Sequence, residues 1–205
     1  MLETVLEELV QGIQRTTGRE FIAIAAGIAS VWFSKKESVW VYPIGLINTI
    51  IYVWMSFEND LIGEASVNFY YTVMSVYGWF EWSRRDKQKQ VLLRVTYSSK
   101  KEQTQQLLFF LFCLTVLFLS ISYLKQEFFD GAIPWADSLA AATAFTGMWL
   151  MTRKKVESWY WWVATNLVSI PLYFTKSMVS TSLYYVILLF LAIAGLYDWK
   201  KRANA

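Results

Sequence analysis

Seven apolar runs, separated by clusters of charged residues, follow one another along the chain between residues 18 and 198. A helix that crosses a bilayer needs about 20 mostly apolar residues, and the fourth and seventh runs reach that length between charges. The first, third and fifth runs are shorter, so those helices must carry a charged residue near one end, and five or six spans remain an alternative. The pattern predicts seven helices, at 18–34, 38–57, 61–82, 104–124, 133–152, 157–175 and 178–198.

Two polar stretches lie outside these helices. In residues 1–17, apolar side chains recur at helical spacing, which favours a short amphipathic helix lying on the outer membrane surface. This stretch lacks the basic region and early apolar core of a signal peptide, so none is expected. Residues 83–103 are polar and basic, and we expect a cytoplasmic loop there rather than a second domain.

The composition supports a membrane setting. Of the 205 residues, 56% are hydrophobic and 18% aromatic, while 17% are charged, against about 25% in soluble chains. A soluble protein of this size has too little interior to hide so many large apolar side chains. The chain is therefore predicted to be an all-α integral membrane protein.

Several chemistries are disfavoured by what the sequence lacks. The chain has no histidine and a single cysteine, Cys113, so we expect no internal disulfide and no histidine-ligated metal. It has no phosphate-binding glycine loop of the GxxxxGK[ST] type. We expect no metal, no cofactor and no nucleic-acid partner.

The distribution of cations supports seven spans and gives an orientation. With seven helices, 15 of the 19 lysines and arginines fall on one side of the membrane, seven of them in 83–103. A wrong number of spans would scramble this partition. Because basic loops stay in the cytoplasm, the amino terminus is predicted to lie outside and the carboxyl terminus inside.

The third and seventh predicted helices end in one motif: glycine, two residues, an acid, tryptophan, then cations. It runs from Gly78 to Trp82 and from Gly195 to Trp199. Aromatic belts with basic flanks recur in membrane proteins, so this motif alone would be weak evidence for an internal repeat. Together with the uneven distribution of cations and with Asn48 and Asn166, which lie at similar depths in their helices, the motif predicts two three-helix repeats. The repeats are 18–82 and 133–202, joined by a linker helix at 104–124. One linker helix makes the repeats parallel, an arrangement in which transporters bind substrate near the midplane.

Polar side chains deep in the spans are the candidate site, because they are costly in lipid unless they face a partner or a cavity. Trp159, Trp162 and Asn166 share one face of the sixth helix, and two indoles above an amide suit a flat, cationic heteroaromatic ligand. An interfacial aromatic belt is the alternative for the tryptophans, and interhelical bonding for the amides. The remaining candidates are Asn48, Asn68 and Tyr71.

The positions of the acidic residues argue against proton-coupled transport, and the lack of paired catalytic groups argues against an enzyme. Glu64, Glu81, Asp137 and Asp198 all lie near span ends, whereas proton-coupled carriers usually need an intramembrane carboxylate or histidine. This favours an uncoupled facilitator. No base lies beside a nucleophile, which disfavours a membrane-embedded enzyme. A non-transport interaction subunit whose aromatics only pack is the other alternative.

Several sequence blocks resemble those of the Pnu vitamin transporters. The run from Thr152 through Trp159 and Trp162 to Asn166 is similar to the TRK…ENW and WxxWxxxN pattern of that family, with Ser158 where the pattern has Asn. Two further blocks, Pro43-Ile-Gly-Leu-Ile-Asn48 and Tyr77-Gly-Trp-Phe-Glu-Trp82, agree in order. The likeness covers about 30–202.

The resemblance implies a fold, a function and a location in the bacterial cytoplasmic (inner) membrane. The family's transporters for nicotinamide riboside, thiamine and other vitamins or nucleosides have seven helices in a SWEET-like three-plus-one-plus-three arrangement, often as homotrimers. It implies facilitated diffusion of the substrate, which a cytoplasmic kinase then phosphorylates and so traps inside the cell. It also implies a substrate-binding site formed by Asn48, Trp159, Trp162 and Asn166. Nicotinamide riboside members tend to carry Gln where this chain has Asn68, so thiamine is a serious rival ligand.

Overall fold

The computed structural model describes residues 17–58, 62–85, 92–128, 132–176 and 178–204. These residues form seven α-helices: α1 (Gly18–Lys35), α2 (Val41–Glu58), α3 (Ile62–Ser83), α4 (Lys100–Phe128), α5 (Pro134–Thr152), α6 (Glu157–Thr175) and α7 (Val179–Ala203). The all-α fold and the seven helices predicted between residues 18 and 198 are confirmed. The amphipathic helix predicted for 1–17 lies, apart from its last residue, outside the described part of the chain.

Local contacts explain where helix ends differ from the prediction. The α4 helix begins at Lys100 because Ser99 and Glu102 cap it reciprocally: the Ser99 N–H donates to the Glu102 carboxylate at 2.8 Å, and the Glu102 N–H donates to the Ser99 hydroxyl at 3.3 Å. The start of α2 is later than predicted, since the chain first turns through Glu37 at φ 59°.

The α5 helix lies in the interior of the bundle. It packs against α3, α4 and α6, and most of its side chains are buried. Many of them are small, including Ala140, Ala142 and Ala144, which lets neighbouring helices approach closely. The α4 helix lies outside α5 and is held by Trp161 on α6, whose indole N–H donates to Gln106 at 3.0 Å.

The other helix contacts form a closed circuit. The α1, α2 and α3 helices pack in sequence, as do α5, α6 and α7; α1 also contacts α7, and α3 contacts α5. Six helices therefore surround a common centre, where polar side chains are shielded from the outside.

The outer surface of the bundle is apolar. Exposed large side chains such as Ile50, Phe80, Phe112 and Phe190 occur on the helices around it, far beyond the isolated patches of a soluble monomer. Two described segments, Lys100–Leu124 and Val179–Ala203, are each long and apolar enough to cross a membrane.

Two tryptophans join the two halves of the chain at one end of the bundle. We call this end the basic end, because it carries Lys35, Arg85, Lys154 and Arg202. The Trp82 indole donates to the Thr152 carbonyl, and the Trp199 indole to the Ser34 carbonyl, each at 3.1 Å. Each ring also meets an aromatic edge: Tyr42–Trp82 at 5.1 Å and Trp159–Trp199 at 5.5 Å between centroids. These contacts join α3 to α5 and α7 to α1.

Replacing Trp199 with Phe should lower the melting temperature of the purified protein. The change removes a buried hydrogen bond, worth about 0.5–1.5 kcal/mol, and part of a fully buried ring. In a chain of this size each kcal/mol corresponds to roughly 2–4 °C. Trp79→Phe is the control, because Trp79 is 43% exposed. Equal shifts in the two variants would contradict the proposed tie between helices.

Candidate functional site

An aromatic group lies where α3, α5 and α6 meet. The Tyr71 ring on α3 faces Trp162 on α6, with centroids 6.3 Å apart, and meets the edge of Phe145 on α5 at 6.2 Å. Tyr70 stacks on Phe145 at 4.2 Å, and its hydroxyl donates to the Phe145 carbonyl at 3.1 Å. Two of the predicted residues, Tyr71 on α3 and Trp162 on α6, are thus brought together beside Phe145 on α5.

A glycine on α5 makes room for Trp162. A Cβ built on Gly147 would lie 3.2 Å from the Trp162 ring, tighter than ordinary van der Waals contact. The indole therefore rests directly on the α5 backbone, with one face against Gly147, and the aromatic group is held by backbone as well as by side chains.

Asn166 lies one turn beyond Trp162 on the same face of α6. It is 2% exposed, and no described residue hydrogen-bonds its side-chain amide. The fully enclosed side-chain polar atoms without a partner in the described residues are Tyr42 Oη, Trp159 Nε1 and Ser180 Oγ, and the Asn166 amide is not one of them. The Asn166 amide therefore keeps some accessible surface and is available to bond a ligand.

Asn48 contributes a second amide from the other half of the chain. Its Nδ2 donates to the Ala23 carbonyl at 2.7 Å, which leaves its carbonyl oxygen and second N–H for other partners. A Cβ on Gly27 would lie 2.9 Å from this Nδ2 and 2.5 Å from the Tyr184 hydroxyl. Gly27 therefore allows Asn48 and Tyr184 to converge over α1.

Tyr184 is the α7 residue that reaches this region. Its ring meets the edge of Tyr185, with centroids 5.6 Å apart, and its hydroxyl lies beside Asn48 over Gly27. Asn48 and Tyr184 thus meet at α1. We call Asn48, Tyr71, Trp162, Asn166 and Tyr184 the central site.

The other two predicted residues have different surroundings. Trp159 is 1% exposed at the basic end, with its ring against Gly195 and Trp199. Its indole N–H has no hydrogen-bond partner among the described residues. Asn68 lies one turn before Thr72 on α3, where its backbone carbonyl accepts a bond from the Thr72 hydroxyl at 2.9 Å, and it has further interactions.

Sequence reasoning did not select Tyr184, Phe145, Gly27 or Gly147. Tyr184 lies inside an apolar run with many aromatic residues, and its periodicity does not separate it from packing residues. The two glycines match no repeat motif. Their importance follows from close interhelical approaches, which depend on how the helices are arranged.

The side chains of the central site are suited to binding a flat polar molecule. Its side chains are aromatic rings, phenols and amides, which are uncharged at neutral pH. They offer stacking surfaces and hydrogen bonds to a flat polar ligand, and electron-rich ring faces to a cation. An apolar exterior around a helical bundle with such an interior is typical of a membrane transport protein.

The match to a family model gives the family. The model described as nicotinamide mononucleotide transporter matches residues 17–201, and the chain belongs to this family. It is a multi-pass protein of the inner membrane.

Individual relatives agree with this assignment. The chain is 26% identical to the nicotinamide riboside transporter PnuC of Escherichia coli (strain K12), over 90% of this chain and 86% of the relative. It is 23% identical to the riboflavin/roseoflavin transporter RibM of Streptomyces davaonensis, over 87% and 82%. Its fold is similar to the crystal structure of the vitamin B3 transporter PnuC, with a TM-score of 0.71, 19% identity, and coverage of 99% and 89%.

Proposed function

We propose that this protein takes up a water-soluble vitamin with a cationic heteroaromatic ring, of the nicotinamide riboside or thiamine type. The observation that carries the proposal is the buried Asn166 amide, without a described partner, one turn from the Trp162–Tyr71 pair. The rings would stack on the ligand and attract its charge, while Asn166 and Asn48 would bond its polar groups. The name of the Escherichia coli relative supports the same ligand class.

The proposed substrate-binding set is the one predicted from the sequence, extended by one residue. Tyr71, Trp162, Asn166 and Asn48 would contact the ligand, and Tyr184 joins them through its approach to Asn48. Trp159 and Asn68 would act at the edges of the site, Trp159 from the basic end and Asn68 from α3.

Two parallel three-helix repeats, 18–82 and 133–202, joined by the linker helix, are the proposed architecture. It is supported by pairs of positions 117 residues apart that share a role. Tyr42 packs on Gly78 as Trp159 packs on Gly195, and Glu37 and Lys154 both have positive φ, 59° and 52°. The first helix of each half also contacts the third helix of the other.

The orientation follows from charge. The basic end would face the cytoplasm, with the amino terminus outside and the basic loop at 83–103 inside. In the described part of this segment, the Ser98 N–H and hydroxyl donate to the Glu157 carboxylate at 2.9–3.0 Å, which docks it against the start of α6. Assembly as a homotrimer remains a proposal taken from the family resemblance.

We further propose facilitated diffusion, with a cytoplasmic kinase that phosphorylates the substrate and so traps it. The central site has no carboxylate or histidine to carry a coupled proton. The named relatives are transporters, which argues against an enzyme or a mere interaction subunit.

A second candidate substrate is a flavin or another vitamin or nucleoside. The riboflavin/roseoflavin relative covers nearly as much of the chain as the nicotinamide riboside relative does. A flavin also presents a flat heteroaromatic ring to Trp162 and Tyr71, although without a fixed positive charge.

A binding panel should separate these candidates. We expect nicotinamide riboside or thiamine, at about 100 times its Kd, to raise the melting temperature of the detergent-purified protein, since binding then adds about 2.7 kcal/mol. Riboflavin and deoxynucleosides complete the panel. If none of these ligands shifts the melting temperature, the proposed function is wrong.

A further inference from the structure

A charged cavity of about 390 Å³ opens at the basic end, apart from the central site. Its polar lining consists of Arg85, Lys154, Arg202, Glu37, Ser38 and the indole of Trp82. The volume falls within the range of about 300–1,000 Å³ that is usual for small-molecule sites. Arg85 and Arg202 are 117 residues apart, as are Glu37 and Lys154, so both halves of the chain supply the cavity with equivalent positions.

Cations outnumber acids in this lining. Glu37 is its one carboxylate, and it is shared between Lys154 at 2.7 Å and Arg202 at 3.0 Å. Arg85 instead donates to the backbone carbonyls of Trp82 and Arg84, and no described carboxylate pairs with it. Three positive groups thus surround a single negative one.

One of the three cations is placed where solvent screens it poorly. The Lys154 side chain is 4% exposed, whereas Arg85 and Arg202 are exposed at the mouth of the cavity. Its burial lowers the pKa of this ammonium; the Glu37 carboxylate opposes that effect, while Arg85 and Arg202 add to it by repulsion. An anion in the cavity would relieve this repulsion and would lie within reach of the guanidinium groups of Arg85 and Arg202.

Two arginines and a lysine suit phosphate better than a halide. Guanidinium groups bind phosphate oxygens with two parallel hydrogen bonds, and a phosphate monoester carries a charge of about −1.5 to −2 at pH 7, close to the surplus of the lining. We propose that this cavity is a second binding site, which takes the phosphate-monoester group of a small metabolite or of a lipid headgroup. It is independent of the function proposed for the central site.

The first test measures the melting temperature of the protein in detergent without anionic lipid. Glycerol phosphate is compared with chloride at equal ionic strength, and we expect glycerol phosphate to raise the melting temperature further. We expect Arg85→Gln or Arg202→Gln to weaken the apparent affinity about tenfold or more, because each loses charge-assisted bonds. Arg84→Gln is the matched control: it removes the same charge from the neighbouring residue, which pairs with Glu81 and does not line the cavity. Glu37→Gln should strengthen binding, whereas Glu81→Gln should not.

Nanodiscs identify the source of the phosphate. If the protein melts at a higher temperature in nanodiscs of phosphatidic acid than in nanodiscs of phosphatidylcholine, and this difference is lost in Arg85→Gln but kept in Arg84→Gln, the ligand is a lipid headgroup. If only glycerol phosphate raises the melting temperature, the ligand is a small metabolite. The proposal is overturned if neither probe exceeds its control, or if Arg84→Gln and Arg85→Gln weaken binding equally.

Discussion

Asn166→Ala should abolish the stabilisation by nicotinamide riboside or thiamine while leaving the unliganded protein folded. The variant removes a buried amide that no described residue hydrogen-bonds, so little internal bonding is lost. In the complex, the polar group of the ligand would lose its hydrogen-bond partner, which costs about 1–3 kcal/mol, or roughly 5- to 150-fold in Kd. Ligand-dependent melting and direct binding measure this effect.

The control for Asn166→Ala is Leu167→Ala on the same helix. Leu167 is 56% exposed and points away from the central site, so ligand binding should persist. Trp162→Ala should match the loss seen for Asn166→Ala, because it removes the stacking surface. Retained affinity in both central-site variants would show that the ligand binds elsewhere.

Gly195→Ala should be strongly destabilising. A Cβ at this position would lie 2.5–2.6 Å from three carbon atoms of the Trp159 ring, and that ring is buried against Trp199 with no room to retreat. Overpacking of this kind costs about 1–3 kcal/mol, which corresponds to a fall of roughly 2–12 °C in melting temperature. Thermal melting in detergent measures it.

Gly18→Ala is the matched control for this substitution. A Cβ there meets nothing within 4 Å, and alanine is favoured over glycine in helices by about 0.5–1 kcal/mol, so the melting temperature should hold or rise. A similar fall in both variants would refute the argument from close packing.

Helix number and approximate helix position could be predicted because lipid imposes a length and a composition on each span. The ends of the helices could not, since they depend on local bonds such as the Ser99–Glu102 cap. The charge pattern likewise indicated which end of each helix is basic, but not that Glu37, Lys154 and Arg202 form one ion network.

The candidate site was predictable in part. Asn166 and Trp162 share a helix face, so their proximity follows from periodicity alone. Tyr184 could not be selected, because its approach to Asn48 depends on the contact between α1 and α7 across Gly27. Trp159 satisfies the same periodicity as Trp162, yet its ring packs against a glycine of α7, which only tertiary structure reveals.

Uptake into proteoliposomes is the most direct test of the central claim that this chain is an uncoupled vitamin transporter. With labelled nicotinamide riboside or thiamine outside and no ion gradient, we predict entry until the internal concentration equals the external one, and no entry with Asn166→Ala. A proton or sodium gradient should change neither the rate nor the plateau. Accumulation above the external concentration on such a gradient, or no entry of either vitamin, would contradict the account.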